Sequence, residues 1–415
     1  MRYAPPGSLL DGFTVLRRGA HYHLVHAQRA LDHGDRAGFT SFGHAVSTDL
    51  VSWETRGPCF GVAGPGAFDS AAIRGPHVFG LGVQTAMLYT GLADGRRTEG
   101  TGLAFTASGD GSGWLRVSAD PVVRPDPRWY GVNDWRDPFL VDGDAERWAM
   151  VVGATGRDSR AGVIGLAVSD DLVEWEVRPP LEPPGDLDGL GGPVVERTPD
   201  GWLLLAVVGR PRRIEAWAAP ELGGPWEPCG PIAPEGCHAP RLVRDADGAM
   251  LLLHTVSRRG GSTDGVLAQP KVLDTTGGRP RLRWWCGTED HLSGQTRTGP
   301  TDGLLGIGCD GPGEVVLRAD GPSLTWTEGA RRISFGDRKV VLDEPAAELR
   351  VLAVGDYVEV YADDVFVLSA VDHSARCPPK SGRRPHPVRA LLPIGPPRDD
   401  ALAVTPSSLW TIADT

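Results

Sequence analysis

Apolar residues along this chain fall in short runs of four to seven, bounded by turn-forming residues, and several runs alternate with polar positions. That spacing belongs to β-strands, and no stretch of twelve or more residues carries a convincing 3.6-residue period. The chain is predicted to be all-β. An apolar strand, a polar turn and a strongly apolar strand recur as a unit. LVDGDAERWAMVVGA, VVERTPDGWLLLAVVG and LVRDADGAMLLLHTV are clear copies, and TVLRRGAHYHLVHA and AIRGPHVFGLGVQTAMLYTG are looser ones. A second motif, Ser-x-Asp-x-x-x-Trp, follows the strands. It appears at Ser47, Asp49 and Trp53, at Ser108, Asp110 and Trp114, and at Ser169, Asp171 and Trp175, 61 residues apart each time, while Trp226 closes a weaker fourth copy. Such Ser and Asp side chains close turns and the Trp covers the outer edge of the unit, so these residues are read as structural.

Five four-stranded units of about 60 residues, closed radially, make a five-bladed β-propeller with protected edges. After about residue 300 the repeat stops, and runs such as GEVVLRA, RKVVLDE, ELRVLAV and DYVEVYADDVFVLSAV predict a second, antiparallel β-sandwich. The expected organisation is a propeller over residues 1–298 and a C-terminal β-sandwich over 299–415. A basic, proline-rich insert at 377–389, CPPKSGRRPHPVR, reads as an exposed loop of the sandwich.

Charge and cysteine usage narrow the partners. With 42 basic and 53 acidic residues the net charge is −11, which repels a phosphate backbone and an anionic membrane surface alike. Nucleic acid and membrane are poor partners, which leaves small molecules and oligosaccharides open. The first residues, MRYAPPGSLLDG, contain no cationic stretch leading into an apolar run, and the six cysteines stand singly with no C-x-x-C pair. A protein of the reducing cytoplasm, with no metal and no cofactor, is expected. Oligomeric state is not written in this pattern.

In a propeller the innermost strands of all blades begin around one funnel, so residues at those starts converge although they are far apart in sequence. Aligned on proline, three starts read Arg136-Asp137-Pro138, Gly191-Gly192-Pro193 and His238-Ala239-Pro240. The first two blades offer Asp11 before Gly12 and Asp69 after Phe68. Asp11, Asp69 and Asp137 are thus expected to point toward one axis. Each would there need desolvation and feel the charge of the others, a cost that points to chemistry. The plainer alternative has Asp11 and Asp69 capping turns.

Several segments resemble glycoside hydrolase family 32, the invertases, levanases and inulinases. Phe42-Gly43-His44-Ala45-Val46-Ser47-Thr48-Asp49-Leu50-Val51-Ser52-Trp53 is similar to its W-G-H-A-x-S-x-D-L-x-x-W segment, and Trp135-Arg136-Asp137-Pro138-Phe139 to the R-D-P motif shared with families 68 and 43. The spacing from Asp11 to Tyr22-His23-Leu24 matches that from the family's nucleophilic Asp to its Y-H-L, and the run from Asp356 to Asp364, DYVEVYADD, resembles the signature of its C-terminal sandwich.

The resemblance implies a retaining mechanism, with Asp11 as nucleophile and Asp137 steadying the sugar hydroxyls beside Arg136. Here Leu10, Gly12, Phe13 and Thr14 replace the family's neighbours of that nucleophile. The family's Phe-Ser-Gly-Ser has become Phe68-Asp69-Ser70-Ala71, which with His44 belongs to the sugar-contacting shell. The general acid of the family is the Glu two residues before the fourth-blade proline, and here that position is Gly191. Glu196 lies five residues further along the same strand. Substitutes are Asp186 and Asp188, just before the slot, Glu235, just before His238, and His238 itself, whose charge change lies near neutral pH. His238 also resembles the fifth-blade His that holds water or an ion in family 43. The implied function is a glycoside hydrolase or transglycosylase acting on a fructofuranoside or related furanosyl sugar with a displaced or missing acid. A binding propeller without turnover and a repurposed, non-hydrolytic enzyme of specialised metabolism are the alternatives.

Overall fold

The computed structural model describes residues 3–30, 38–93, 98–108, 111–141, 147–158, 161–183, 185, 187–209, 212–257, 265–293, 303–317, 321–354, 357–371 and 409–412. Asp186, Asp110, Asp356 and the basic insert lie outside them. The protein is all-β: a five-bladed β-propeller and a β-sandwich. The chain divides into two compact units, Arg2–Ile232 with Gly236–Pro280, and Ala233–Glu235 with Arg281–Thr415 and Met1.

The first unit is the propeller. Blades 1 to 4 are antiparallel four-stranded sheets in sequence order, with innermost strands Ser8–Arg18, Ala72–Leu81, Tyr130–Val141 and Gly191–Thr198. Blade 5 starts with Cys237–Arg244, paired to Met250–Ser257, which in turn pairs with Gly265–Leu267 and Lys271–Asp274. The five innermost strands neighbour one another in a ring, the fifth lying against the first. Closure is reinforced where Gly265–Leu267 also pairs with the first strand at Leu10 and bridges to Tyr3. Apolar side chains from facing blades fill the gaps. Trp135, Met150, Val152 and Ala167 pack with Ala86, Leu88 and Leu103 of the preceding blade, the burial that holds a propeller together.

The outer turns explain the repeat. Ser47 Oγ accepts from the backbone N–H of Asp49 and Leu50, Asp49 Oδ1 accepts from Val51 and Ser52 N–H at 2.7 Å, and Trp53 Nε1 donates to Leu50 O at 3.2 Å. The third copy repeats this set through Ser169, Asp171 and Trp175. The residue directly after the Asp position is left-handed in the three full copies, at Leu50 (φ 64°), Gly111 (φ 76°) and Leu172 (φ 67°). Leu tolerates that strained backbone because the turn's hydrogen bonds fix it.

The second unit places Gly303–Gly308, Glu348–Val354, Tyr357–Ala362 and Val365–Val371 in one sheet, and Gly313–Val316, Ser323–Thr327, Arg332–Phe335 and Arg338–Val341 in another. Leu324, Trp326, Ile333 and Phe335 of the second sheet meet Leu349, Val351, Val358 and Val360 of the first in a sandwich core.

Candidate active site

The starts of the innermost strands share one local construction. In blade 3, Arg136 pairs with Gly153 and Phe139 with Val151, so Asp137 and Pro138 bulge out against a single partner residue. The same two-against-one bulge recurs at Gly75-Pro76, Gly192-Pro193 and Ala239-Pro240. In each, the residue before proline is left-handed: Gly75 φ 55°, Asp137 φ 56°, Gly192 φ 56° and Ala239 φ 50°. Proline has no N–H to give the ladder, and a bulge turns the residue before it toward the funnel. Blade 1 has a shorter bulge, one extra residue at Gly12.

The residue just ahead of each bulge is therefore equivalent from blade to blade: Asp11, Arg74, Arg136, Gly191 and His238. All five line one cavity, together with Asp137, Arg212 and Arg241. Asp137 is held by its backbone N–H donating to Thr90 Oγ1 at 2.9 Å and by Gly192 N–H donating to its Oδ2 at 3.0 Å. Arg136 donates to Leu190 O at 2.9 Å and pairs with Asp134 at 3.2 Å. His238 is buried, its Nδ1 lying 3.3 Å from Gly236 O. Burial pushes the Asp11 carboxyl above the ordinary carboxylate range, against the opposing pull of His238, the Gly12 N–H and Arg212, while the Asp137 charge adds to the rise.

Gly191 presents no side chain to this ring. A Cβ placed there would approach only Asp137 Oδ2, at 3.4 Å. No carboxylate from the neighbouring chain fills the gap among the described residues lining the cavity. Asp188 is exposed, outside the lining, with its carbonyl accepting from Gly209 N–H at 2.7 Å. Glu196 pairs with Arg244 at 3.2 Å on the strand's far side. Glu235 is exposed, groups with the second unit and lies 3.8 Å from Arg338.

Asp69 is placed differently from the expectation that it faces the axis. Its side chain is fully buried, accepting from Tyr89 OH at 3.0 Å and Arg116 Nε at 2.8 Å. Phe68 packs on Tyr89 beside it. Both belong to the wall of blade 2 and do not line the funnel cavity, because the blade-2 strand start is Arg74-Gly75-Pro76. His44 likewise turns away: it stacks on His23 with centroids 5.3 Å apart and packs under the outer turn of blade 2 at Gly111.

Sequence reasoning missed Arg74, Arg212 and Arg241. Arg74 was readable from Pro76 by the same proline alignment, and Arg241 from its place directly after Pro240. Arg212 had only the cationic loop Arg210-Pro211-Arg212-Arg213 to announce it. Among the described residues no three His, Cys, Asp or Glu side chains gather as metal ligands.

Residues 11–191, from the first ring position to the fourth, match the family model for the glycosyl hydrolases family 32 N-terminal domain. Over this stretch the chain is similar to glycoside hydrolase family 32. Within that group, the sucrose:sucrose 1-fructosyltransferase of Festuca arundinacea is 29% identical over 168 residues, 39% of this chain and 25% of that protein. An insoluble beta-fructofuranosidase isoenzyme of Arabidopsis thaliana is 27% identical over 163 residues, 38% of this chain and 29% of that protein. The matched stretch of this family 32-like chain thus spans only between a quarter and a third of these curated relatives. Among solved structures, the sucrose-6-phosphate hydrolase from Lactobacillus gasseri superposes with a TM-score of 0.76 over 98% of this chain and 91% of that one, at 15% identity, a likeness of fold.

Proposed function

We propose that the propeller funnel acts on a fructofuranoside or related furanosyl sugar by a retaining glycosidic mechanism, with Asp11 as nucleophile and Asp137 as the group that holds the sugar hydroxyls. The observation that carries this reading is that Asp11 and Asp137, from blades 1 and 3, line one cavity beside Arg136 and His238. Attack by Asp11 on the anomeric carbon would give a covalent glycosyl ester, later opened by water or by a second sugar. Asp11 has to be ionised for this step. The nearby Arg212 and His238 favour the charged form that burial disfavours. Asp137, fixed by Thr90 and the Gly192 N–H, is preorganised to accept from hydroxyls as charge develops on the sugar.

Gly191 favours a second reading, in which the funnel binds furanosyl sugars without hydrolysing ordinary glycosides, since among the described residues no carboxylate takes the place of the one Gly191 lacks. The two separate on leaving-group dependence. A nitrophenyl fructofuranoside expels nitrophenolate without a proton, so a nucleophile-only site should cleave it while leaving sucrose nearly untouched. Release of nitrophenolate at a rate well above that of sucrose cleavage is the expected result. Fructose that stabilises the protein against heating with neither substrate turned over would establish binding alone.

A further inference from the structure

Four arginines line the funnel cavity, and they are not equivalent. Arg74 contacts Glu99 and Arg136 pairs with Asp134. Arg212 and Arg241 have no carboxylate within 4.0 Å among the described residues, and Arg241 is only 3% exposed. Arg241 Nη1 donates to Pro240 O at 2.7 Å, but its Nε is buried with no hydrogen-bond partner. His77 is buried and held neutral, with its pKa lowered to about 3 by burial and then by the Arg241 charge. Burial brings the Arg241 guanidinium down only to about 10, so it stays a cation at neutral pH, eased by the field of Asp137. A guanidinium so placed is costly unless something anionic completes its bonding.

Both cations line the cavity that holds Gly191. Arg241 Nη1 lies 3.8 Å from the point a Cβ on Gly192 would occupy, and a Cβ on Gly191 would meet Asp137 Oδ2 at 3.4 Å. Building on the glycosidic reading above, we infer that the funnel takes a furanosyl donor whose leaving group is itself an anion, an anomeric phosphate held by Arg241 and Arg212 over Gly191. The missing acid and the unpaired arginines then have one cause. Asp11 Oδ forms a bond to the anomeric carbon while the carbon–oxygen bond to phosphate breaks, and its electron pair stays on the phosphate, which needs no proton from the protein. The guanidinium groups stabilise the charge as it develops, with the fork geometry that suits phosphate oxygens. Water then attacks the anomeric carbon of the ester, frees the Asp11 carboxylate and gives its proton to solvent. In the reverse direction inorganic phosphate is the acceptor.

The plainer role for Arg241 is to balance Asp137 and nothing more, and inorganic phosphate discriminates. The full-length protein should bind inorganic phosphate by calorimetry, phosphate should compete with nitrophenyl fructofuranoside, and an anomeric fructofuranosyl phosphate should be cleaved at least about tenfold better than sucrose in kcat/KM. Arg212→Gln, at a half-buried position that tolerates change better than Arg241, should lower kcat/KM for the phosphate donor by about ten- to a hundredfold and more than for the nitrophenyl substrate. Arg241→Gln should do the same if it folds. Cleavage of the nitrophenyl furanoside with no competition by phosphate, and no preference for the phosphate donor over sucrose, overturns this inference and leaves the glycosidic reading standing. A protein that neither binds nor cleaves any furanoside removes both.

Discussion

The outer corners and the inner strand starts of the propeller both recur from blade to blade, yet they have diverged in opposite ways. At the corners of blades 1 and 3 both backbone and side chains persist: Ser, Asp and Trp make the same bonds at Ser47, Asp49 and Trp53 as at Ser169, Asp171 and Trp175. At the inner starts of blades 2 to 5 the backbone persists, a left-handed residue followed by proline in a bulge. The residue ahead of each bulge, with its counterpart in blade 1, runs through Asp11, Arg74, Arg136, Gly191 and His238. Corner side chains serve their own turn, so a corner built on the same backbone, as in blades 1 and 3, keeps the same ones. Inner side chains serve a shared cavity, where five identical residues would be useless and five carboxylates would repel. Divergence upon a constant backbone marks where a repeat has been given work.

If that division holds, the largest effect should come from Asp11. Asp11→Asn should lower nitrophenolate release by on the order of a thousandfold or more, the scale of losing a nucleophile, without loss of thermal stability, because an amide escapes the burial penalty the carboxylate bears. Asp137→Asn should cost about a hundredfold, as for one preorganised polar group, and Asn accepts the left-handed backbone at that position. Unchanged turnover in folded Asp11→Asn would place the chemistry elsewhere.

The fold was legible because strands announce themselves by alternation, and a repeat of known length fixes how many blades they make. Of the site candidates, Arg136, Asp137 and His238 meet in the cavity because the proline alignment tracks a real backbone feature, and Asp11 joins them at the bulge of blade 1. Where that alignment was abandoned, as in choosing Asp69 over Arg74 for blade 2, the residue fell in a wall. The failure has a physical source: a carboxylate beside an aromatic gives no sign in sequence of whether a partner such as Arg116 will claim it. Glu235 was out of reach for a related reason, since nearness in sequence to His238 says nothing about which unit a loop joins.

Filling the gap at the fourth ring position sharpens the comparison next. Gly191 lacks the left-handed backbone of Gly192, so Gly191→Glu should be accommodated, whereas Gly192→Glu adds strain at φ 56°. A glutamate facing Asp137 would have its pKa raised by the like charge, as suits a general acid. Sucrose cleavage should rise by about tenfold or more in Gly191→Glu, the lower end of what acid catalysis contributes, and competition by inorganic phosphate should weaken. A rise in sucrose cleavage with phosphate binding intact would separate the acid slot from the arginine pair.

Acidification tests the blade interiors. His26 and His77 are buried and neutral, with pKa values lowered to about 4 and about 3. A depressed histidine contributes its stability fully above its unfolded pKa of about 6.5 and loses it as pH falls toward the folded value, at about 1.4 kcal/mol per pH unit for each group. The raised Asp11 runs the other way, taking up its proton more readily in the fold, and offsets part of the loss. The melting temperature should therefore fall as pH drops from 6.5 toward 4, and His77→Phe, if it packs, should flatten the slope. Activity should fail on the acid side at a higher pH than a free aspartate would set.

The smallest effect should come from the corners, and it is the one that can break the division outright. Asp171 is exposed, yet its Oδ1 accepts from Val173 and Glu174 N–H at 2.9 and 2.8 Å and from Ser169 Oγ at 3.2 Å. Replacing it leaves two amide groups to water and frees a turn whose Leu172 stands at φ 67°. Asp171→Ala should therefore lower the melting temperature by a few degrees, as for a lost helix cap. The kcat/KM for the nitrophenyl furanoside should not change, since the side chain bonds only its own corner. A loss of activity in Asp171→Ala approaching that of Asp137→Asn, with stability intact, would mean that the corners carry substrate as well as backbone. The persistence of Ser-x-Asp-x-x-x-Trp would then need a functional cause in place of a structural one.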